Sequence, residues 1–234
     1  MKDFLVNLIK LLISFVVLLF AEEYFNKLLG TLNIHLSKTF TEFIVYLIIS
    51  ICFYIIYKDE LKSGIKKYKR KLLSNFIYSF VAFLVIFIVI LITNYLCKVI
   101  GKSFYLNYTP VSFFNIFNRP FNLALILLFI KSIILIPYLK VTVFALGVNK
   151  LFDYNASIII SGLAAAVYHA YLIGGTLPNM IINSIPSFVL FLLLALIYRK
   201  NNNIVVSITT YSLYILLAGI LYSNIMWGLK WKKE

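Results

Sequence analysis

Runs of roughly twenty apolar residues follow one another along almost the whole chain, and few folds can accept that. A helix that crosses the hydrocarbon core of a bilayer needs about 20 such residues. Seven segments qualify: residues 4–20, 40–57, 76–96, 121–139, 156–173, 180–198 and 204–227. Backbone polar groups in lipid must be satisfied within the segment, so each reads as a helix. Of the 234 residues 62% are hydrophobic and 13% charged, against about 25% charged in a soluble domain. That excludes a free soluble enzyme, a secreted disulfide scaffold and a disordered chain. The expected class is all-α, a polytopic transmembrane helical bundle of six to eight spans, with residues 1–234 forming a single membrane domain. The first twenty residues have the basic start and apolar run of a signal peptide but no small-x-small cleavage site before Glu22, so they read as a retained first span. Pro186 is expected to kink the sixth segment or make it partly re-entrant.

Charge sets the expected orientation. The chain has 22 Lys+Arg against 8 Asp+Glu, a formal net charge of +14. In a bundle of apolar helices this excess reads as attraction to an anionic inner leaflet, with membrane lipids as partners and no nucleic acid. Residues 58–75 hold Lys58, Lys62, Lys66, Lys67, Lys69, Arg70 and Lys71. This loop is therefore placed in the cytoplasm of a multi-pass cell-membrane protein, as is the N-terminus two spans earlier. Arg199 and Lys200 agree. Lys230, Lys232 and Lys233 do not, because seven spans would put them outside. Residues 138–148 stay apolar beyond the fourth segment and either continue it or form a short separate helix; so either one segment does not span, or an eighth pass hides there. The chain divides into N-terminal spans (1–120) and a helical core (121–227). Cys52 and Cys97 have no CxxC spacing, so neither a disulfide framework nor a metal site is expected.

Ionisable residues inside spans are costly and are the first functional candidates. Lys10 is close enough to a helix end to snorkel. Lys131 lies deep in the fourth segment, with no carboxylate expected within a span to pair with it. Lys140 follows Ile136-Pro137-Tyr138-Leu139 near the end of that segment, a position suited to interfacial anchoring. His169 shares a helical face with Ser161 and Ala165, four residues apart. Small residues there admit a neighbouring helix, and a neutral imidazole can serve as a base, a metal ligand or an interhelical hydrogen-bonding group. Among the acids, Asp3, Glu22, Glu23, Glu42, Asp59, Glu60, Asp153 and Glu234, only Glu22-Glu23 forms an adjacent pair flanking apolar sequence. Phosphate-loop, HExxH and GxSxG patterns are missing, as is any metal-spaced Cys/His cluster. No cofactor and no metal are expected.

Pro137 and Phe144, then Ser161 and His169, then Asn201-Asn202-Asn203 leading into an apolar segment with Tyr211 and Ile215, form a spaced series. The series resembles the CPBP family, the CAAX-protease and bacteriocin-processing (Abi, type II CAAX prenyl endopeptidase-like) membrane proteins. That family carries a Glu pair followed after three residues by Arg, commonly after Pro and with Phe before the Arg. It also carries Phe-x-x-x-His with a Ser four residues before the Phe, and His-x-x-x-Asn after a short loop. Its Glu and His groups activate water for peptide cleavage within the membrane. In this chain Lys140 and Val141 stand at the Glu pair, Ala145 at the Arg, Ala165 at the Phe, Tyr211 at the His and Ile215 at the Asn. Only His169 survives among the catalytic types. The resemblance thus implies a CPBP-like helical core in residues 121–227 that keeps a cavity and has lost hydrolysis: a pseudo-protease in an immunity or regulatory role.

The expected function is recognition. Ser161, Ala165, His169 and Tyr211 would line an intramembrane cavity, with Lys131 or Lys140 offering a positive group to a hydrophobic peptide with a terminal carboxylate, or to a partner membrane protein. One alternative is an active intramembrane endopeptidase using His169 with a displaced carboxylate such as Glu22 or Glu23. Another is a small-solute transporter or permease subunit with a wet path along Lys131, Thr209, Thr210 and Tyr211.

Overall fold

The computed structural model describes residues 2–31, 37–106 and 123–230. They are helical throughout, with no strand among them. Helix α1 spans Lys2–Thr31, α2 Lys38–Ile56, α3 Lys58–Arg70 and α4 Leu72–Ser103. The fourth span is one continuous helical rod, built from α5 (Leu123–Ile130), a π-helical stretch Lys131–Leu135, α6 (Ile136–Val141) and a second π-helical stretch Thr142–Gly147. Then come α7 (Tyr154–Ile173), α8 (Leu177–Asn201) and α9 (Ile204–Lys230). Among the described residues six segments are long and apolar enough to cross a membrane: residues of α1, α2, α4, the fourth span, α7 and α8. In α9 the described side chains end at Gly219, and Ile204–Gly219 is an apolar stretch. The multi-pass membrane bundle is therefore what the fold shows. The side chain of Glu22, the residues at 121–122 and the tail with Lys232 and Lys233 lie outside the described residues, as does the side chain of Lys230.

Three expectations are corrected. Residues 58–75 are not a loop. Leu61, Gly64 and Tyr68 repeat at helical spacing and are buried, while Lys62, Lys66, Lys69 and Arg70 remain exposed. This amphipathic pattern makes α3 a helix seated on the start of α9. Residues 138–148 continue the fourth span to Gly147, one of the outcomes expected for this stretch, and form no separate pass. Lys140 consequently lies in the interior of that span and not near its end. Finally, Pro186 sits inside an unbroken 25-residue α8 that is long enough to cross, so the sixth segment is not re-entrant.

Pro137 explains part of the fourth span's unusual winding. Its nitrogen has no hydrogen to donate to the carbonyl of Ile133. The turn ahead of it widens, and the Ile136 N–H reaches back to the Lys131 carbonyl, a π-type bond.

One end of the bundle, the basic end, is fastened by polar contacts. Arg199 on the last turn of α8 donates from Nε to Ser157 Oγ at 3.0 Å and from Nη2 to the carbonyls of Phe152 (2.7 Å) and Asn149 (3.2 Å). Lys150 pairs with Glu60 of α3. Asn202 takes the left-handed conformation (φ 46°) that ends α8, a conformation Asn tolerates well. Between helices, Ser79 Oγ of α4 donates to the Val206 carbonyl (3.3 Å) and Ser207 Oγ of α9 to the Leu194 carbonyl (3.1 Å). Close approach of α7 and α8 needs Gly162: a Cβ there would lie 2.8 Å from the Phe188 carbonyl oxygen.

Candidate functional site

Toward the other end, the middle of α8 and α9, the later turns of α7, and α6 enclose a cavity of about 330 Å³. Its walls are mostly apolar: Ile90 of α4, Ile136 of α6, Leu172 and Ile173 of α7, Leu190 of α8 and Ile215 of α9. The polar groups are few and come from different elements: Lys140, His169, Tyr168, Ser187, Tyr211 and Tyr214. A mostly apolar pocket with a few convergent polar groups is the usual form of a small-ligand site.

An aromatic cluster holds these groups in place. Phe144, one turn beyond Lys140, packs edge-on against Phe191 at 5.0 Å between centroids and meets the Tyr168 ring at 5.5 Å. Phe191 in turn packs edge-on against Tyr211 at 5.4 Å, and Tyr211 stacks on Tyr214 at 6.2 Å. From α1, Phe15 closes the cluster against both Phe144 and Tyr168. Such ring pairs add to area burial and fix geometry.

The ammonium of Lys140 lies 5.1 Å from the centroid of the Tyr168 ring. Beside that cation–π contact it interacts electrostatically with the neighbouring His169, and among the described residues no carboxylate and no hydrogen bond pairs it. His169 is half-buried on the same wall and makes no hydrogen bond among the described residues. Among the described residues no Asp or Glu lines the cavity. The described carboxylates nearest in kind are engaged elsewhere. Glu23 is exposed and pairs with Lys27 at 2.7 Å, Glu42 pairs with Lys131, and Glu60 pairs with Lys150. Asp153 is at the opposite end of α7 from His169, about 24 Å away at 1.5 Å per residue. Among the described residues no group of three His, Cys, Asp or Glu side chains is placed to hold a metal.

Four of the six residues expected to line a cavity therefore meet in one: Ala165, His169, Tyr211 and Lys140. Ser161 shares their helix face but sits two turns closer to the basic end, where its hydroxyl donates to the Ser157 carbonyl at 2.6 Å. Lys131 faces away. It is buried against α2, paired with Glu42 and 5.8 Å from the Tyr46 ring. The expectation that it has no carboxylate partner is corrected, because Glu42 lies in the second turn of α2 and reaches it. Of the other residues drawn for a transporter path, Thr209 and Thr210 donate to carbonyls of their own helix, at Val205 (2.9 Å) and Val206 (2.8 Å).

Sequence reasoning missed Tyr168, Tyr214, Phe191 and Ser187 as lining residues. The first two carried a signal, one adjacent to His169 and the other one turn after Tyr211. Phe191 and Ser187 had none, since a phenylalanine or serine in an apolar helix is unremarkable. In the comparisons with known proteins, no family model, no curated protein and no solved structure matches this chain.

Proposed function

We propose that the chain is an intramembrane binding protein that takes an apolar peptide into the cavity and pairs the peptide's terminal carboxylate with Lys140. One observation carries this reading: an ammonium group is held at an apolar cavity inside a membrane span, beside an aromatic face and an imidazole and with no carboxylate among the described residues. Charges in that setting are ordinarily paired. A carboxylate arriving on an apolar ligand supplies the missing partner, and the His169 imidazole and the Tyr211 hydroxyl are further hydrogen-bonding groups for it.

The proposal includes kinship with a non-catalytic CPBP-type protein. What supports it is that Lys140, His169, Tyr211 and Ile215, the positions that stand at three separate motifs, surround one cavity. Hydrolysis is not part of the proposal, because the lining holds no carboxylate among the described residues to act as base. The proposal also places the basic end, with α3, in the cytoplasm.

The test uses a short Leu/Phe peptide with an N-terminal dansyl group, as a free acid and as a C-terminal amide, titrated into the purified protein. The acid is expected to bind at least about tenfold more tightly, as a charged hydrogen bond is worth about 1.5–3 kcal/mol. Lys140→Ala is expected to erase that difference, Lys140→Arg to keep most of it, and His169→Ala to weaken both peptides. Equal binding of acid and amide, or full binding by the Lys140→Ala and His169→Ala proteins, overturns the reading.

A further inference from the structure

A second site lies on the opposite flank, apart from the cavity. An apolar groove of about 340 Å³ runs between α2, the fourth span and α9. Tyr54, Ile133, Ile134, Tyr138 and Ile208 line it, and Ile65 of α3 forms its roof. Tyr54, Ile134 and Ile65 are each at least 40% exposed, so the groove opens sideways, toward the hydrocarbon of a surrounding bilayer. Ile65 belongs equally to the outer face of α3, where it is surrounded by Lys62, Lys66, Lys69 and Arg70. These four cations are exposed and form no ion pair among the described residues. The helix cannot turn them away, because Gly64 on its inner face sits against Ile204 and Asn203, where a Cβ would come within 3.0 Å of the Ile204 side chain.

A sideways-open apolar groove that ends under four unpaired cations matches one chemistry: an acyl chain joined to an anionic head group. We infer that this flank is a binding site for a single anionic phospholipid, its acyl chain in the groove and its phosphate on Lys62, Lys66 and Lys69. Spacings of four and three residues bring those three ammonium groups onto one face of α3. A zwitterionic phospholipid fills the groove equally well but brings its own cation to the lysines. A free polyanion such as an oligonucleotide satisfies the cations and leaves the groove empty. Groove and cations together therefore select the anionic lipid over both.

The full-length protein is reconstituted into nanodiscs of equimolar phosphatidylglycerol and phosphatidylcholine, and the lipids retained after release are identified by native mass spectrometry. One retained phosphatidylglycerol, in preference to phosphatidylcholine, is expected. With each lysine near a membrane surface worth about fivefold in affinity for anionic lipid, Lys62→Gln/Lys66→Gln/Lys69→Gln should lower that preference at least about tenfold. The corresponding Arg triple variant should keep it and so exclude misfolding as the cause. Ile208→Trp, which fills the groove and leaves the charge unchanged, should also release the lipid. Lys98→Gln/Lys102→Gln, at the other end of α4, should leave it in place. A wild-type protein without preference overturns the inference. So does an equal loss in the Lys98/Lys102 control, which would mark diffuse attraction, or displacement of the lipid by an oligonucleotide. Binding of the dansyl peptide to Lys140 is read separately and can fail without affecting this result.

Discussion

Lys131 and Lys140 lie on one rod nine residues apart, and their surroundings differ completely. Lys131 is 7% exposed and neutralised by Glu42, whereas Lys140 faces a cavity beside the Tyr168 ring and the His169 imidazole, with no carboxylate among the described residues. Removing one partner of a buried ion pair leaves the other charge stranded, at roughly 3–5 kcal/mol. Glu42 retains some exposure (16%), so Glu42→Gln should destabilise the bundle by about 3 kcal/mol in reversible unfolding from mixed micelles. Glu42→Gln combined with Lys131→Met should recover most of that loss. Strict additivity of the two changes would show that the pair does not interact. The sequence pointed to both lysines as unusual, but it could not pair Lys131, since Glu42 is 89 residues away along the chain. His169 and Tyr211 were legible because each is a polar group in an apolar stretch. The ring cluster around them was not, because aromatic residues are spread over every helix.

At the scale of elements, α7 and α8 pack closely, and Gly162 sets how near the two helices come. Gly162→Leu forces them apart at the Phe188 carbonyl. A loss of about 1–3 kcal/mol is expected from such overpacking, readable as a lowered midpoint of thermal unfolding. Ser161→Ala, one residue earlier, should change little by comparison. A further tie between elements joins α3 to the turn after the fourth span through Glu60 and Lys150. Burial alone would raise the Glu60 carboxyl, but the Lys150 hydrogen bond and neighbouring positive charges prevail and hold it below its ordinary value of 4.5. Its contribution to stability is therefore fully present above pH 4.5 and is lost as the pH falls through the lower folded value. Glu60→Gln should lower the unfolding midpoint at neutral pH and converge with the unchanged protein in acid; a constant gap at all pH values would contradict this. The apolar segments themselves were readable from length and composition. Helix α3 was readable too, from Leu61, Gly64 and Tyr68, but seven cations within residues 58–75 pointed to topology first.

For the whole molecule, the expected side of each end can be measured directly. With Cys52 and Cys97 replaced by Ala, Ser63→Cys on α3 should resist a membrane-impermeant maleimide in intact cells and react after permeabilisation. Thr176→Cys, in the turn between α7 and α8, should react in intact cells. The reverse pattern would invert the orientation. The unpartnered ammonium of Lys140 has one more consequence. A ligand that satisfies it binds the folded chain and not the unfolded one, so occupancy raises the melting temperature by mass action. The gain is about 2.7 kcal/mol at a hundredfold excess over Kd. The molecule thus carries its own reporter: a melting screen over apolar acids, amides and alcohols of equal chain length would reveal the charge its natural occupant bears before that occupant is known.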